Sequence, residues 1–286
     1  MNKVSLKAYA KVNLGLDVIR KLDNGYHEVR MIMQSIDLYD KVNIYKNRTG
    51  DIRINTNLSF LPTGADNLVH KAATLLKDEF NIKTGVNIDL FKFIPVSAGM
   101  AGGSTDAAAV LKGMNIMFDL KLSNEELMKR GATLGADIPY CIMGGTALAE
   151  GIGEVLTPLK PCPRCYVVIG KPGVSVSTKF VYQNLKLDDN VVHPDIDGMI
   201  ECINTQDIYG VAKRLSNVLE TVTEKSHPVI KEIKSTMIKE GALNAIMSGS
   251  GPTVFGIFDD LEKANHCKEV VWKAGLTRNT YVVGLI

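Results

Sequence analysis

The sequence predicts an α+β protein of two domains, and three observations carry that prediction. Strand-like and helix-like segments are mixed without strict βαβ alternation, which argues against a doubly wound parallel sheet. The chain has 286 residues, above the usual single-domain size of roughly 100 to 150 residues. Its composition, 45% hydrophobic and 22% charged, is that of a folded chain with a substantial core.

From Val4 to Asn57, the short β-rich pieces VNLGLDVI, MIMQSIDL, KVNIYKN and DIRIN alternate with turn signals at Asp23-Asn24-Gly25 and Arg48-Thr49-Gly50, as in an antiparallel meander. Between Asp66 and Phe80, the apolar residues Leu68, Val69, Ala72, Leu75, Leu76 and Phe80 recur at helical spacing, with Asp66 placed to cap. A strand, VNIDLFKFI, then leads into a Gly-rich loop. Asp106 to Phe118 reads as an Ala-rich helix, and Ser123 with Glu126 forms a capping box for another helix running to about Leu134. The Pro-containing stretch from Gly151 to Pro163 lacks periodicity and marks a domain boundary, giving domains of residues 1–153 and 154–286. The second half reads as a strand (YVVIG), a helix from about Asp207 to Leu219, and a helix opening at Pro228 and closing at Gly241. Two strands around Ser248-Gly249-Ser250-Gly251, a helix from about Leu261 to Ala274 and a final strand, TYVVGLI, complete it.

Charge narrows the function classes. With 33 Lys plus Arg against 31 Asp plus Glu, the formal charge is only +2, without the basic excess by which a nucleic-acid binder releases counterions. The opening MNKVSLKAYAK places Lys3, Lys7 and Lys11 where an export signal needs apolar residues, so a cytoplasmic protein is expected. The longest uncharged run, Gly241 to Phe258, is interrupted by four Gly, Pro252, Asn244 and two Ser, which disqualifies it as a spanning helix. Five cysteines are read as reduced thiols. Cys162 and Cys165 form a CxxC with no second pair at zinc spacing, and are read as structural or surface thiols. The expected partners are small-molecule substrates, with no nucleic acid and no membrane, for a monomer or homodimer.

The sharpest chemical feature is Pro95-Val-Ser-Ala-Gly-Met-Ala-Gly-Gly-Ser-Thr-Asp106, between a strand and an Ala-rich helix. Gly99, Gly102 and Gly103 permit positive φ and close backbone approach, and a helix start offers free N–H groups and the positive end of its dipole. That combination suits phosphate. It is neither a Walker A loop nor a dinucleotide fingerprint, since neither GK[ST] nor GxGxxG occurs. Three weaker features accompany it. Ser248-Gly-Ser-Gly-Pro-Thr253 is a second Gly/Ser segment, readable by itself as a plain hairpin turn. Strand alternation puts Lys11, Asn13 and Gly15 on one face, opposite Val12, Leu14 and Leu16. Asp137 stands in the otherwise apolar GADIP segment, where a buried carboxylate calls for a cationic neighbour.

These four segments, in this order, resemble the GHMP kinase superfamily, whose fold joins an N-terminal domain similar to ribosomal protein S5 domain 2 with a C-terminal ferredoxin-like domain. Asn24-Gly-Tyr26-His27, MQSIDLYD, Asp66-Asn67-Leu68, PVSAGMAGGSTDAAA, LGADIP and SGSGPTVFGIF resemble the branch that phosphorylates the 2-hydroxyl of 4-diphosphocytidyl-2-C-methyl-D-erythritol in the non-mevalonate isoprenoid route. The resemblance covers essentially the whole chain. It implies that Pro95, Val96, Ser97, Ala98, Gly99, Met100, Ala101, Gly102, Gly103, Ser104 and Thr105 wrap the ATP phosphates, with Asn67 and Lys92 near the nucleotide. It implies Lys11 and Asp137 as the catalytic pair, and Asn13, Tyr26, His27, Thr178 and Tyr182 in the cytidylyl substrate pocket. ATP is the implied co-substrate and Mg2+ is expected with it, although no carboxylate cluster stands out to hold a metal. The sequence departs from the family pattern at Met100 and Ala101, where Leu-Gly is commoner, at Thr105 in place of Ser, and at Met33, where several relatives carry Phe. The alternatives are another GHMP kinase, acting on mevalonate, homoserine or a sugar, and a non-catalytic S5-like binding protein.

Overall fold

Long strands, rather than the short pieces expected, open the chain. The computed structural model describes residues 1–188 and 191–286. VNLGLDVI lies within one strand, β1 (Lys3–Lys21), and MIMQSIDL and KVNIYKN merge into β2 (His27–Asn47), with the Asp23-Asn24-Gly25 turn between them. The elements that follow are β3 (Ile52–Thr56), α1 (Leu68–Glu79), β4 (Gly85–Phe91), α2 (Gly102–Phe118), α3 (Asn124–Ala132) and α4 (Ile138–Met143). Then come β5 (Thr146–Glu150), β6 (Val155–Pro158), β7 (Tyr166–Lys171), α5 (Thr178–Asn184), α6 (Ile196–Asn204), α7 (Ile208–Lys213) and β8 (Ser216–Asn217). The chain ends in α8 (Glu220–Ser226), α9 (Val229–Lys239), β9 (Asn244–Met247), β10 (Val254–Phe258), α10 (Leu261–Lys273) and β11 (Asn279–Gly284). No helix among the described residues is long and apolar enough to cross a membrane.

The chain divides into two compact units, each built from separate stretches. The first comprises Met1–Ala10, Leu38–Val96 and Ala101–Gly144. In it the second half of β2 pairs antiparallel with β4, from Lys41 opposite Phe91 to Asn47 opposite Gly85, and β3 joins β4 in parallel. The parallel pairing corrects the meander expectation: the chain after β3 crosses over through α1 before returning as β4. Helix α2 packs between α1 and α4, and its Ala-rich sequence lets it lie close to the sheet. A Cβ on Gly113 would fall 2.5 Å from Ile44 Cδ1 and 2.9 Å from Leu6 Cδ1. Val42, Ile44, Val86, Ile88, Leu76, Val110 and Met114 are buried there, each large side chain contributing about 1.5 to 3 kcal/mol. Asn67, not Asp66, caps α1, because Asn67 is the last extended residue and its side chain accepts from Val69 N. The capping box of Ser123 and Glu126 is present as expected.

The second unit comprises Lys11–Asp37, Ser97–Met100 and Gly145–Ile286. Here β5 pairs antiparallel with the first half of β2 and with β6, while β8 pairs in parallel with β1. A separate antiparallel sheet has the order β11-β7-β10-β9, with α9 against β9 and β10 and α10 against β7 and β11. Val167, Ile169, Phe255, Ile257, Ile233, Met237 and Val271 are buried in this unit. The helix expected from Asp207 to Leu219 is instead interrupted after Lys213, where Ser216 and Asn217 leave helical conformation to pair with Gly15 and Leu16.

Candidate active site

The Gly-rich loop is shaped by residues other than those its composition suggests. Gly99 takes a left-handed φ of +72°, but so do Ser97 (52°) and Ala101 (55°), whereas Gly102 and Gly103 already belong to α2. Of the three glycines Gly99 uses positive φ, while Gly102 and Gly103 lie in α2, which begins before Asp106. Gly102 is closely packed instead: a Cβ there would lie 3.2 Å from Ile94 Cγ2 and 3.4 Å from Lys92 Nζ. Ala101, the N-cap, provides no side-chain cap, so the first-turn N–H groups of Gly102, Gly103 and Ser104 are available to an anion, reinforced by the helix dipole. Thr105 is buried, and its hydroxyl donates to Tyr9 O at 2.7 Å.

Within the second unit, Ser97–Met100 is docked onto the other Gly/Ser segment. Ser248 Oγ donates to Gly99 O at 2.9 Å, and a Cβ on Gly99 would collide with the Ser248 carbonyl oxygen. Ser248-Gly-Ser-Gly-Pro-Thr253 is thus more than a hairpin turn. Asn217, which the sequence reading placed in a helix and did not single out, organises it. Its Nδ2 donates to Met247 O and Gly249 O at 2.8 Å each, and its Oδ1 accepts from Leu219 N. Its signal in the sequence was weak, an Asn at the break of an apolar helical pattern.

Lys11 is buried rather than solvated at a strand edge. Its Nζ donates to Asn13 Oδ1 at 2.7 Å, and Asn13 Nδ2 points to Met31 Sδ at 3.2 Å. Two residues apart on β1, these side chains share one face as alternation requires. An ammonium paired only with a neutral amide retains its full charge for an anion. In the same unit His27 lies against Tyr182, ring centroids 5.0 Å apart and planes tilted by 38°. Burial, aided by Lys21, lowers the His27 pKa below its ordinary value, keeping the ring neutral and able both to donate and to accept. Tyr26 is 60% exposed. Thr178 opens α5, with its hydroxyl 2.8 Å from Ser250 Oγ.

The first unit holds Asn67, Lys92, Pro95, Val96, Ala101–Thr105 and Asp137. Asn67 uses both ends of its amide locally, donating to Pro62 O at 2.7 Å and accepting from Val69 N at 2.8 Å. Lys92 is also committed. Its ammonium is paired with Asp40 and, at 2.6 Å, with Asp106. Asp137 is half-buried at the N-cap of α4 and makes no side-chain cap bond. The cationic neighbour expected for it is not found within this unit; the start of α4 lies beside it instead. Among the described residues no three His, Cys, Asp or Glu side chains cluster to hold a metal ion, and the acids beside the loop are engaged by Lys92. Among the described residues there is thus no all-protein metal cage, which suits an ion carried on nucleotide phosphates.

Residues 67–145 match the GHMP kinases N terminal domain and residues 191–275 the GHMP kinases C terminal domain. A protein of Lachnoclostridium phytofermentans named 4-diphosphocytidyl-2-C-methyl-D-erythritol kinase is 61% identical over 264 residues, 92% of this chain and 91% of that one. The chain belongs to the 4-diphosphocytidyl-2-C-methyl-D-erythritol kinase family of GHMP kinases. A second member of that kinase family, from Lachnospira eligens, is 53% identical over 281 residues, covering 98% of both chains. A crystal structure of 4-(cytidine 5'-diphospho)-2C-methyl-D-erythritol kinase superposes with a TM-score of 0.84 at 29% identity, over 99% of each chain. The α+β GHMP kinase fold expected from the sequence is therefore the fold of this kinase family member.

Proposed function

We propose that the chain transfers the γ-phosphoryl group of ATP to the 2-hydroxyl of 4-diphosphocytidyl-2-C-methyl-D-erythritol. The observation that carries the reading is the α2 N-terminus, uncapped by any side chain and preceded by a backbone held in left-handed conformation at Ser97, Gly99 and Ala101. A polyphosphate is the ligand chemistry such a start favours, and 61% identity to a named kinase of this substrate supports the acceptor. In this reading Pro95–Thr105 wraps the nucleotide, and Asn67 borders it. Asn13, Tyr26, His27, Thr178 and Tyr182 receive the cytidylyl group, with the neutral His27 ring reading the cytosine edge and Tyr182 stacking on its face.

Lys11 and Asp137 carry the chemistry. The bond between the γ-phosphorus and its bridging oxygen breaks, a bond to the substrate hydroxyl oxygen forms, and the hydroxyl proton passes to the Asp137 carboxylate. Lys11 stabilises negative charge on the transferred group. A tertiary alcohol is crowded and weakly acidic, so positioning and charge account for most of the rate. Magnesium enters with ATP, as the ion of the nucleotide and not of the protein. The family domain matches fall on either side of residue 153, in keeping with a sequence division into 1–153 and 154–286, although the compact units draw on stretches from both parts of the chain. A cytosolic location is supported by the free thiols among the described residues; burial pushes Cys165 up to about 12 and raises Cys162 as well. The test is product analysis: purified protein with ATP and the cytidylyl substrate should yield ADP and a phosphomonoester on the 2-hydroxyl. Phosphate on another hydroxyl, or free phosphate alone, would overturn the assignment.

A further inference from the structure

A lysine ahead of a glycine loop reads as a phosphate ligand, but Lys92 is surrounded by acids of its own unit. Asp40, at the middle of β2, is fully buried, Asp106 is 2% exposed, and Lys92 lies between them. Asp40 and Lys92 also grip backbone. Asp40 Oδ1 accepts from Phe93 N at 2.5 Å and Ile94 N at 2.8 Å, where the chain leaves β4. Lys92 Nζ lies 3.4 Å from Gly102 O, and Asp106 belongs to the second turn of α2, where the chain returns. The stretch between these points, Pro95 to Ala101, is the candidate phosphate loop.

We propose that Asp40, Lys92 and Asp106 form a positioning staple that fixes both ends of the Pro95–Ala101 loop, with Lys92 acting through the two carboxylates and not as a nucleotide ligand. The proposal rests on the reading of that loop as the ATP site. Two acids around one ammonium are a poor means of stabilising a core, since apolar replacements of buried ion clusters are often neutral or better. One atom is left over: among the described residues Asp106 Oδ1 is buried with no hydrogen-bond partner. Burial, with Asp40 adding to it, raises Asp106 well above the usual carboxylate range despite the pull of Lys92, so the cluster approaches neutrality by retaining a proton. Such an arrangement defines geometry: the acids determine where strand exit and helix start lie, and Gly102 leaves the ammonium room between them.

Two readouts on Asp106→Ala and Asp106→Asn test this. Asp106→Ala removes one jaw and frees Lys92 on that side; Asp106→Asn keeps an acceptor for it. The staple predicts that Asp106→Ala weakens ATP binding, measured calorimetrically without acceptor, by about tenfold or more, while the KM of the acceptor changes less than about twofold. Asp106→Asn should restore ATP affinity to within about threefold of wild type. Amide exchange in Asp106→Ala should rise at Phe93, Ile94 and the first turn of α2, above any change elsewhere in the unit. Unchanged or tighter ATP binding in Asp106→Ala would mean that Lys92 is a direct ligand, and an even rise in exchange across the unit would mean a general loss of stability; either overturns the staple. If Asp106→Ala does not fold, Asp106→Ser is scored by the same criteria. The exchange data judge the staple alone, whereas a wild-type protein that binds ATP but does not phosphorylate the cytidylyl substrate counts only against the proposed function.

Discussion

Gly99 and Gly103 lie in the same glycine-rich motif, yet an added methyl group should have opposite effects at the two positions. At Gly99 φ is +72°, and a Cβ would collide with the Ser248 carbonyl oxygen and lie 3.2 Å from Gly251 N. Both neighbours are backbone, so neither yields by changing rotamer. Left-handed conformation costs a non-glycine residue about 1–2 kcal/mol, overpacking about 1–3 kcal/mol, and the threatened bond from Ser248 Oγ to Gly99 O about 0.5–1.5 kcal/mol. Together these give a destabilisation of about 2.5 to 6.5 kcal/mol for Gly99→Ala, a large part of a typical native stability. Gly103 is helical, and its nearest would-be contact, Leu68 Cδ1, is at an ordinary 3.7 Å. Gly103→Ala should be neutral or stabilising by up to about 1 kcal/mol on helix propensity alone. Urea unfolding of both variants, followed by tryptophan fluorescence and circular dichroism, measures the contrast. Equal stabilities for the two variants would refute the claim that Ser97–Met100 is seated on the Ser248 segment.

Further outcomes follow from titratable groups and from the proposed chemistry. Asp106 binds its proton more tightly folded than unfolded, where its pKa is about 3.9; the stability of the protonated form is whole below about pH 4 and is lost as pH rises toward the folded value. Since Lys92 and Asp40 are the charged groups that act on it, Asp106→Asn should gain stability over wild type progressively above about pH 4, and a pH-independent difference would show that Asp106 binds its proton equally well folded and unfolded. His27 is shifted downward, so its neutral-ring contribution is present above the unfolded value of about 6.5 and is lost as pH falls through the folded one. An NMR titration should give a His27 midpoint below about 6.5, and a midpoint at or above that value contradicts the burial argument. Asp137→Asn, if folded, should lose several decades of kcat, at about 1.4 kcal/mol per decade; near-normal turnover would remove the proton-acceptor role.

Much of the architecture was legible because local signals and tertiary packing agreed. The capping box at Ser123 and Glu126, the helix between Pro228 and Gly241, and the strands flanking Ser248-Gly249-Ser250-Gly251 all lie where periodicity and turn residues put them. Misreadings arose where distant residues decide. Two glycines are poor helix formers, yet α2 starts at Gly102, where the chain passes close to Ile94 and Lys92. The helix expected through Leu219 breaks because Asn217 bonds carbonyls 30 and 32 residues away. The partners of Lys92 were likewise not legible. Its position before the loop matches a phosphate ligand, and Asp40, 52 residues earlier, was legible only as part of a strand. Lys11, by contrast, was placed correctly on one face with Asn13 from alternation alone, although its burial was not apparent.

The most direct test of the whole account is ADP release by the purified protein with three acceptors: 4-diphosphocytidyl-2-C-methyl-D-erythritol, its cytidine-free methylerythritol phosphate analogue, and mevalonate. The kcat/KM for the first should exceed the other two by about two decades or more, because the other two lack the base that His27 and Tyr182 are proposed to hold. Comparable turnover of mevalonate, or of the analogue lacking cytidine, would contradict it.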